Sequence, residues 1–597
     1  MRTKVSDHVL RRLREWGVEH VFGYPGDGIA GLLAAWDRAG DEPRFVQARH
    51  EETAAFQAVG YAKFSGRLGV CAATSGPGAI HLLNGLYDAK LDHVPVLAIV
   101  GRTNRSAMGG SYQQEVDLHT LFQDVASEFA VTVTVPEQLP NVLDRAIRTA
   151  YARRCPTAVI IPGDVQELEH TAPAHEFTMV PASLDHGDWT AIASQESLER
   201  AAEILNSGDK VAILAGQGAA GARAEVERIA EVLGAGVAKA LLGKDVLSDD
   251  LPYVTGSIGL LGTRPSYELM RDCDTLLTIG SSFPYTRFLP DFGSARGVQI
   301  DIDPHMIGMR YPYEVNLVGD AKETLRRLIP MIRGEERGRE WFETVCDNVR
   351  FWDEVLERRA RVSADPINPE YVARALDPLL PPDAVVTSDS GSVANWYARH
   401  LTMRPGMRGS LSGTLATMGC GVPYAIGAKF AHPDRPAIAL VGDGAMQMNG
   451  LAELVTAATY RDRWQDPRLV VAVWNNQDLN QVTWEMRAEG VPSFLPSQQL
   501  PDVPYAAFAR SLGLTGVRVE KPEDVVAGWR TALAADGPAV VEFLTDPAVP
   551  PIPPHATWEQ LEATAASILR GDADRGSMIR QGFKAKAQDF LPGRETR

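Results

Sequence analysis

Cysteine is scarce in this sequence, and long hydrophobic runs are missing. The five cysteines lie far apart and lack the paired spacing of a structural zinc site. No apolar stretch approaches the roughly 20 residues that a membrane-spanning helix needs. The stretch Met1–Trp16 carries five lysines and arginines without a hydrophobic segment, which predicts an amphipathic helix and not a signal peptide. We therefore expect a cytoplasmic protein in a reducing environment.

Positive charge is also in deficit, because 59 lysines and arginines face 76 aspartates and glutamates, a net charge of −17. Proteins that bind nucleic acid depend on a local excess of cations, so we expect no nucleic-acid partner. A hydrophobic content of 45% and a charged content of 23% are typical of a folded globular chain. The 597 residues are enough for three or four domains.

Short apolar runs rich in β-branched residues recur along the chain, and glycine-containing turns and helical stretches follow them. Such near-continuous hydrophobicity is typical of parallel strands that helices cover on both faces. The alternation predicts an α/β protein of three doubly wound parallel-sheet domains. The nine clearest candidate strands are Leu68–Ala73, Val94–Val100, Ala158–Ile161, Val211–Ala215, Thr275–Ile279, Val298–Ile302, Ala384–Ser388, Ala437–Val441 and Leu469–Trp474.

Two stretches predict connections between domains: the aperiodic segment His170–Ser194 and the charged, helical-looking segment Gly334–Pro369. We therefore expect domains over residues 1–185, 186–360 and 361–550. A proline-rich break then precedes a tail over residues 551–597. The tail alternates apolar with basic side chains, which leaves weak peripheral membrane contact open beside packing on the subunit or partial disorder.

Polar residues follow two of the candidate strands at the point where each ends. The segments are Gly442-Asp443-Gly444-Ala445 and Asn475-Asn476-Gln477-Asp478. Ligands collect at the carboxyl ends of parallel strands, where glycine lets the backbone approach a phosphate. A helix predicted to begin near Met448 would direct its amides at that phosphate.

The same two segments offer hard oxygen ligands. Side-chain oxygens of Asp443 and Asn476, with a backbone carbonyl near Asp478, match the ligand set that Mg²⁺ prefers beside water and diphosphate. A pair of ordinary β-turns is the alternative for either segment alone. Their occurrence together and in this order favours a diphosphate–magnesium site.

These segments resemble the thiamine-diphosphate-dependent enzymes of the pyruvate oxidase, pyruvate:quinone oxidoreductase and acetolactate synthase family. The N-terminal third adds Arg49–Lys63, which resembles the family's catalytic-glutamate helix, followed by Ala73–Gly78 and Asn84–Pro95. Phe283–Tyr285 and Gln299–Pro304 resemble the flavin domain of pyruvate:quinone oxidoreductases. The resemblance implies pyrimidine-binding, flavin-type and diphosphate-binding domains, of which the first and third share a similar fold. It also implies thiamine diphosphate, Mg²⁺ and FAD as cofactors.

The resemblance assigns Glu51 the role of the activating carboxyl group. It would hydrogen-bond N1′ of the aminopyrimidine, so that the 4′-nitrogen can take the proton from thiazolium C2. A carboxyl group in apolar surroundings suits such an exchange near neutral pH. The alternative is a glutamate that only complements the positive end of a helix, which Glu52 would do equally well. Only Glu51 stands nine residues before Gly60, as the family motif requires.

The segment Thr414–Pro423 resembles the acetolactate-synthase form of the loop beneath the cofactor. The resemblance makes Met418 the wedge that folds the two cofactor rings together, and it makes the Ala416 carbonyl the acceptor of the 4′-amino group. A methionine that only fills the core is the alternative. The segment Asp389-Ser390-Gly391-Ser392 ends another strand, and Asp389, Gly391 and Ser392 are predicted to contact the diphosphate.

The resemblance also implies FAD in the middle domain. Acidic residues at the end of a strand can bind ribose hydroxyls in this way. The alternative is a domain that keeps the fold without a nucleotide. The predicted FAD contacts are Gly216, Gly218, Thr263, Ser282, Phe283, Pro284, Tyr285, Asp301 and Asp303.

This chain departs from pyruvate oxidases on the substrate side. Gln113 and Gln481 stand where those enzymes place aromatic residues, whereas Gln114 and Glu485 match the family pattern and are expected to be catalytic. An amide in place of a ring predicts a more polar substrate pocket. The interval from Asp443 to Asn476 is also several residues longer than in the family. We identify residues 461–468 as an insertion in a surface connection.

The resemblance implies decarboxylation of a 2-oxo acid, pyruvate or a more polar relative. FAD-linked oxidation of the enamine, with quinone, oxygen or another electron acceptor, would make the protein a pyruvate oxidase or pyruvate:quinone oxidoreductase. One alternative is a carboligase like acetolactate synthase, which holds FAD without using it. Another is a non-catalytic nucleotide-binding homologue. The cofactor would lie at a subunit interface, which implies a homodimer or homotetramer.

Overall fold

The computed structural model describes residues 3–170, 184, 190–334, 339–551, 553 and 581. Strands in this part of the chain form three six-stranded sheets, and neighbouring strands within each sheet run parallel. This confirms the predicted fold class. All nine candidate strands are present, and Val211–Ala215 and Thr275–Ile279 have the predicted bounds.

The first and third sheets have the same topology. The first contains β1 (His20–Gly23), β2 (Arg44–Gln47), β3 (Gly69–Ala73), β4 (Val96–Arg102), β5 (Ala130–Thr132) and β6 (Pro156–Pro162). The third contains β13 (Val385–Ser388), β14 (Arg408–Ser410), β15 (Ala437–Gly442), β16 (Leu469–Asn475), β17 (Thr515–Val519) and β18 (Ala539–Leu544). Their strand orders are β2-β1-β3-β4-β6-β5 and β14-β13-β15-β16-β18-β17. The prediction that these two domains share a similar fold is therefore confirmed.

The middle sheet has the strand order of dinucleotide-binding folds. It contains β7 (Val211–Ala215), β8 (Gly236–Lys239), β9 (Val254–Ser257), β10 (Thr275–Ile279), β11 (Arg296–Asp301) and β12 (Val315–Val318). The order β12-β11-β10-β7-β8-β9 reverses direction between β7 and β10. A crevice at the carboxyl ends of these two strands is the position where such folds bind ligands.

Helices cover both faces of the three sheets, as near-continuous apolar strands require. Those of the N-terminal domain are α1 (Val5–Glu15), α2 (Ala30–Ala39), α3 (Glu51–Ser65), α4 (Pro77–His81), α5 (Leu83–Leu91), α6 (Leu118–Phe122), α7 (Leu139–Arg153) and α8 (Gly163–Glu167). Those of the middle domain are α9 (Gln195–Ser207), α10 (Arg223–Leu233), α11 (Arg264–Asp272) and α12 (Ala321–Leu328). The long helix α13 (Arg339–Ala360) leads to the third domain, where the charged bridge was predicted.

The third domain contains the remaining helices. They are α14 (Pro369–Leu376), α15 (Ser392–His400), α16 (Gly421–Ala431), α17 (Asp443–Ala445), α18 (Leu451–Tyr460), α19 (Asn480–Ala488), α20 (Leu495–Gln498), α21 (Tyr505–Ser511) and α22 (Val525–Leu533). No helix in the described ranges combines the length and apolar character needed to cross a membrane.

Helix α3 packs against α16, which joins the N-terminal and third domains. Both helices are buried along almost their whole length. A Cβ atom added to Gly60 would lie 2.7 Å from the Tyr424 Cα, so glycine is required at this crossing. The contact fixes helix α3, which begins at Glu51, against the third domain.

Two predictions concern residues that lie largely outside the described ranges. The aperiodic connection before Ser194 and the tail after residue 551 are described at only a few positions. The boundary near residue 185 and the weak membrane contact of the tail therefore stay predictions. The boundary near residue 360, at the end of α13, also stays a prediction. All five cysteines lie in the described ranges and are free.

Candidate active site

Asp443 and the Asn476 loop lie side by side at the carboxyl edge of the third sheet. Strands β15 and β16 pair with Gly442 opposite Trp474, so both strands end at the same level. Helix α17 begins at Asp443, immediately after β15. The Asp443 Oδ2 accepts a 2.6 Å hydrogen bond from the backbone N–H of Gln477. The structure thus brings together the two predicted metal-binding segments.

The side chains of this corner fit a divalent cation. Asp443 is 3% exposed, and burial raises its pKa to about 7. No cationic side chain in the described part of the chain forms an ion pair with it. A buried carboxylate without a counter-charge favours a bound cation. The Asp478 carboxylate accepts hydrogen bonds from Thr483 and Asn480, at 2.8 and 3.0 Å. The backbone carbonyl is therefore the better candidate ligand at Asp478.

The helix after Asp443 begins earlier than predicted. The expected start near Met448 is wrong by five residues, because the chain is already helical at Asp443. A π-helical turn, Met446–Gly450, then precedes α18. Single π-helical turns are rare and occur frequently at functional sites. Ala445 is buried, whereas a Cβ atom added to Gly442 would meet nothing within 4 Å, which leaves open space for a ligand.

Asp389 holds the loop that contains Met418. Its carboxylate accepts three backbone N–H groups, from Ser390 at 2.9 Å, Gly419 at 2.8 Å and Gly421 at 2.7 Å. Burial raises the pKa of Asp389 to about 6. The carboxylate is fully engaged with the backbone, so the diphosphate contact predicted for this segment rests on Gly391 and Ser392.

Gly391 and Ser392 form the start of helix α15. Gly391 has φ = +100°, a conformation that favours glycine, and the helix begins at the next residue. The Ser392 hydroxyl donates a 3.1 Å hydrogen bond to Asn480 Oδ1. This links the helix start to the loop that follows Asn476. The segment therefore adjoins the predicted metal corner.

Met418 and Ala416 lie in a loop between these elements. The half-buried Met418 has its sulfur 3.8 Å from the position that a Cβ atom of Gly444 would take. Ala416 is exposed and has φ = +53°, which is uncommon for a non-glycine residue. Strained backbone of this kind often occurs where a ligand is held. The loop is consistent with the predicted wedge and carbonyl acceptor, which stay predictions.

Glu51 is the first residue of α3, and its partner is a histidine that the sequence reasoning missed. The Glu51 side chain is 10% exposed, and its Oε2 lies 2.9 Å from His81 Nδ1. His81 ends helix α4, three residues after the quoted Ala73–Gly78 motif, and this proximity was the available signal. The ligand atoms of His50, Glu51 and His81 lie within 4.8 Å of one another.

Glu52 has a different partner and a different role. Its Oε1 accepts a 2.5 Å hydrogen bond from the Asn84 amide, which also donates to Thr417 Oγ1 at 3.0 Å. Asn84 therefore connects Glu52 and the N-terminal domain to the Met418 loop. Across the described residues, no hydrogen bond joins Glu51 to Asp443 or Asn476 of the same chain.

Gln114 lies beside the loop that follows β3. Its Oε1 accepts a 2.9 Å hydrogen bond from the Ser75 hydroxyl, and its backbone has φ = +60°. The neighbouring Gln113 is exposed. Gln114 thus lies next to the turn that follows β3, and its expected catalytic role stays a prediction.

A single cavity of about 1120 Å³ connects the middle domain with the candidate thiamine site. The predicted residues that line it from the middle domain are Gly216, Gly218, Ser282, Phe283, Pro284, Tyr285, Asp301 and Asp303. Those that line it from the third domain are Gly391, Ala416, Gln481 and Glu485. Thr263 is the exception, because its hydroxyl donates to the Thr255 carbonyl at 2.5 Å and caps helix α11.

The middle-domain end of the cavity has the form of a nucleotide crevice. It lies between β7 and β10, where the strand order reverses. A Cβ atom on Gly218 would lie 2.8 Å from the Gly280 Cα, so the two turns approach more closely than a side chain allows. The Asp301 carboxylate, at the end of β11, has a raised pKa because it is buried. Gly218, Gly280 and Asp301 therefore fit a dinucleotide bound in this crevice.

Two residues of the N-terminal domain also reach this cavity, and the sequence reasoning did not select them. His93 and Arg154 both line it and have φ of +56° and +50°. His93 lies within the quoted Asn84–Pro95 segment, whereas Arg154 follows helix α7 without any motif. The cavity therefore lies between all three domains.

The predicted pocket glutamines do not meet within one chain. The Gln481 Nε2 donates to Glu485 Oε1 at 3.0 Å, and its Oε1 accepts from Asn395 Nδ2 at 3.0 Å. The Gln481 amide therefore already forms hydrogen bonds within the chain, although Gln481 lines the large cavity. Gln113 does not line that cavity. Gln481 and Glu485 thus form a polar patch in the cavity wall, and the substrate role expected for Gln113 and Gln481 stays a prediction.

The chain matches three models of one enzyme family, and each match lies in the region of one of the three sheets. The N-terminal TPP binding domain of thiamine pyrophosphate (thiamine diphosphate) enzymes matches residues 3–121, the central domain of these enzymes matches 198–328, and their C-terminal TPP binding domain matches 389–543. The chain belongs to this enzyme family. The diphosphate and pyrimidine ends of the candidate site lie within the two TPP-binding domains.

Individual relatives cover almost the whole chain. The Bacillus subtilis protein named "Putative thiamine pyrophosphate-containing protein YdaP" is 36% identical over 94% of this chain and 94% of its own length. A pyruvate oxidase of Lactiplantibacillus plantarum is 30% identical over 89% of this chain and 87% of its own. An acetolactate synthase large subunit of Corynebacterium glutamicum is 30% identical over 90% and 86%. The chain is thus related to both an oxidase and a synthase.

Proposed function

We propose that the protein catalyses oxidative decarboxylation of a 2-oxo acid, pyruvate or a more polar relative, with thiamine diphosphate, Mg²⁺ and FAD. The shared cavity is the observation that carries this proposal, because it runs from the nucleotide crevice to Ala416, Gln481 and Glu485. A flavin bound in that crevice would reach toward the candidate thiamine site without a wall of protein between them. The relationship to a pyruvate oxidase supports the same conclusion.

The residues at the diphosphate end would hold the cofactor and its metal ion. Asp443, Asn476 and the carbonyl of Asp478 would bind Mg²⁺, while the start of α15 would contact the diphosphate. Bound thiamine diphosphate supplies an electron sink for the carbon that loses CO₂, and bound FAD supplies a two-electron oxidant.

The residues at the pyrimidine end would control the protonation of the aminopyrimidine ring. Glu51 would hold a proton at the aminopyrimidine ring, and His81 would fix the orientation of its carboxylate. Met418 would be the wedge that keeps the two cofactor rings folded together, and Asp389 would keep the Met418 loop in place. Gln114, Gln481 and Glu485 would face the substrate.

The overall reaction conserves atoms and electrons. Pyruvate, water and oxidised FAD would yield acetate, CO₂ and reduced FAD. A quinone, oxygen or another acceptor would then reoxidise the flavin. The catalytic set of Glu51, Asp443 and Asn476 is complete in this chain, which argues against a non-catalytic nucleotide-binding homologue.

A carboligase is the second candidate, and one observation favours it. Thr417-Met418-Gly419 follows the acetolactate-synthase form of the loop, and acetolactate synthases occur among the relatives. In that case the flavin would be bound without taking part in electron transfer. The two reactions differ in product, so product analysis separates them.

The test is to incubate the reconstituted protein with pyruvate and an artificial electron acceptor and to identify the products. Acetate formed in equal amount to reduced acceptor supports the oxidase, whereas acetolactate with no reduced acceptor supports the carboligase. Glu51→Gln serves as the control and should form neither product. If the wild-type protein, saturated with all three cofactors, consumes neither pyruvate nor hydroxypyruvate, the proposal is wrong.

We also propose that the active site forms between two chains, with Glu51 of one chain serving Asp443 of the other. Mixing Glu51→Gln with Asp443→Ala tests this directly. A hybrid dimer would contain one intact site, so random reassembly should recover about a quarter of the wild-type activity. If each active site formed within a single chain, the mixture of variants would recover no activity. The mass of the assembly in solution distinguishes a homodimer from a homotetramer.

A further inference from the structure

A second cavity, of about 410 Å³, lies where the N-terminal and third domains meet. We call it the amino-edge cavity because its residues precede strands. His20 and Arg44 begin β1 and β2, Arg67 comes just before β3, and Phe430 and Trp464 precede β15 and β16. The candidate active-site residues instead follow strands. The two cavities therefore lie at opposite edges of the sheets.

The insertion at residues 461–468 forms part of the wall of this cavity, which the proposed function does not use. Trp464 is 5% exposed, and its ring packs 6.0 Å from that of Phe430. Its indole Nε1 is buried and has no hydrogen-bond acceptor within the described ranges. Because this nitrogen is enclosed by protein, Trp464 can contribute only its apolar ring carbons to the wall.

Two arginines on the N-terminal side of the cavity differ in how closely a carboxylate neutralises their charge. Arg67 pairs with Glu19 at 2.8 Å. Arg44 lies 3.7 Å from Asp41, beyond hydrogen-bond distance, and its Nε is buried without an acceptor among the described residues. A guanidinium group matches the oxygens of a carboxylate or a phosphate.

Two further cations line the other side. Lys429 is fully buried, and its ammonium group donates to main-chain carbonyls, including that of Asp466 at 2.6 Å. Arg463, on the insertion, is exposed and forms no ion pair with any described residue. Cations therefore outnumber carboxylates around this cavity, although the whole chain has a net charge of −17.

We propose that the amino-edge cavity binds a small organic oxyanion, held by the guanidinium groups of Arg44 and Arg463. The rings of Trp464 and Phe430 would contact its apolar part. The volume lies within the range of small-molecule sites. This site is independent of the reaction at the other edge of the sheets.

An occupant would touch both helices that join the two domains. Tyr61 lies on α3 and Lys429 on α16, and both line the cavity. A ligand that binds only the folded protein stabilises it by mass action. Binding should therefore raise the thermal unfolding temperature in a concentration-dependent way.

The test is calorimetric titration of the cofactor-loaded protein with inorganic phosphate and, separately, with succinate, at constant ionic strength. We expect saturable binding of at least one probe, with one site per chain. Preference for phosphate would indicate a phosphorylated ligand, and preference for succinate a carboxylate. Arg463→Ala should weaken binding by about tenfold or more, because a charge-assisted contact is lost. Trp464→Ala removes one of the two aromatic rings from the wall and should weaken binding several-fold.

Arg461→Ala is the matched control. Arg461 lies in the same insertion but does not line the cavity, and its Nη1 donates to the Gly513 carbonyl at 3.1 Å. This variant should bind the probe like the wild type. If neither probe binds saturably, or if Arg461→Ala weakens binding as much as Arg463→Ala does, the proposal is wrong.

Discussion

The Nδ1 atom of His81 lies 2.9 Å from the Oε2 atom of Glu51, so the last residue of α4 orients the first residue of α3. We expect Glu51→Gln to slow proton exchange at thiazolium C2 by about 100-fold or more, the lower end of general acid–base contributions. His81→Gln should slow it by about tenfold, because the carboxylate is still present but less well oriented. Hydrogen–deuterium exchange of the bound cofactor measures both.

The affinity for thiamine diphosphate should stay within a few-fold of the wild-type value in both variants, because neither Glu51 nor His81 lies at the diphosphate end of the site. His119→Gln, at an exposed position on α6, is the control and should exchange normally. Exchange at the wild-type rate in Glu51→Gln would refute the assignment of the activating carboxyl group. Normal exchange in His81→Gln alone would show that the histidine contact is structural.

Asp443 should control the affinity for Mg²⁺ and, through it, for the cofactor. Burial raises the pKa of Asp443 to about 7 in the metal-free chain, well above its ordinary value of 3.8. The cation requires the deprotonated carboxylate, so apparent Mg²⁺ affinity should rise with pH up to about 7 and then level off. Without metal, ionising this buried group is unfavourable, so its contribution to stability should fall as pH rises from about 4 to 7.

Asp443→Ala should abolish Mg²⁺-dependent cofactor binding, measured by titration of the cofactor at fixed Mg²⁺. Asp478→Asn is the matched control, because its side chain serves Thr483 and Asn480 while the backbone carbonyl is kept. If Asp478→Asn loses Mg²⁺ affinity as fully as Asp443→Ala, the carboxylate and not the carbonyl is the ligand. Wild-type affinity in Asp443→Ala would overturn the metal assignment.

Asp92 should be important for stability because it connects three domains. Its buried carboxylate accepts from Lys63 at 2.6 Å and from the backbone N–H groups of Gly413 and Thr414, while its carbonyl accepts from Gln217. Breaking a buried ion pair costs about 3–5 kcal/mol, so Asp92→Asn should lower the urea midpoint strongly.

The exposed pair of Lys90 and Asp124, 2.8 Å apart, provides the control for Asp92. Lys90→Ala should cost less than about 1 kcal/mol, as is usual for surface ion pairs. Asp92→Asn should also reduce affinity for thiamine diphosphate, because residues 413–414 lead to Ala416. Equal urea midpoints for the two variants would contradict this account.

Gln481 should set substrate preference through the polar wall that it forms with Glu485. Replacing it with leucine removes the amide and leaves Asn395 and Glu485 without this partner. We expect Gln481→Leu to lower the ratio of kcat/KM for hydroxypyruvate to that for pyruvate by about tenfold, equivalent to one lost polar contact. Gln113→Leu is the companion variant, and a similar shift would place Gln113 in the site of another chain. An unchanged ratio in both variants would show that the glutamines do not determine specificity.

The sequence predicted the interior strands well and the outer strands poorly. Strands such as β7 and β10 are buried on both faces and form unbroken apolar runs, which periodicity detects. Strands at sheet edges, such as β14 (Arg408–Ser410) and β17 (Thr515–Val519), are short or half-exposed and carry polar side chains. Their pairing depends on neighbouring strands, which local sequence does not reveal.

The candidate site was predicted where a motif marks it and missed where the fold alone assembles it. Asp443 and Asn476 follow strands, so their proximity could be inferred from parallel topology. His81 lies just after one quoted motif and His93 within another, but both, like Arg154, reach the site through tertiary packing that local sequence does not reveal. Thr263 was selected by resemblance, yet its hydroxyl caps a helix. The hydrogen bonds that the Asp389 carboxylate accepts from the backbone could not be predicted either. One of their donors, the Gly419 N–H, lies in a loop 30 residues away in sequence.

Anaerobic mixing of the cofactor-loaded protein with pyruvate or hydroxypyruvate tests the central claim most directly. The account predicts that the visible absorbance of the flavin bleaches at a rate that supports turnover, that CO₂ is released in equal amount, and that Glu51→Gln does not bleach. A protein that forms product from either acid while its flavin stays oxidised, or that binds thiamine diphosphate but no flavin, would contradict the oxidase proposal.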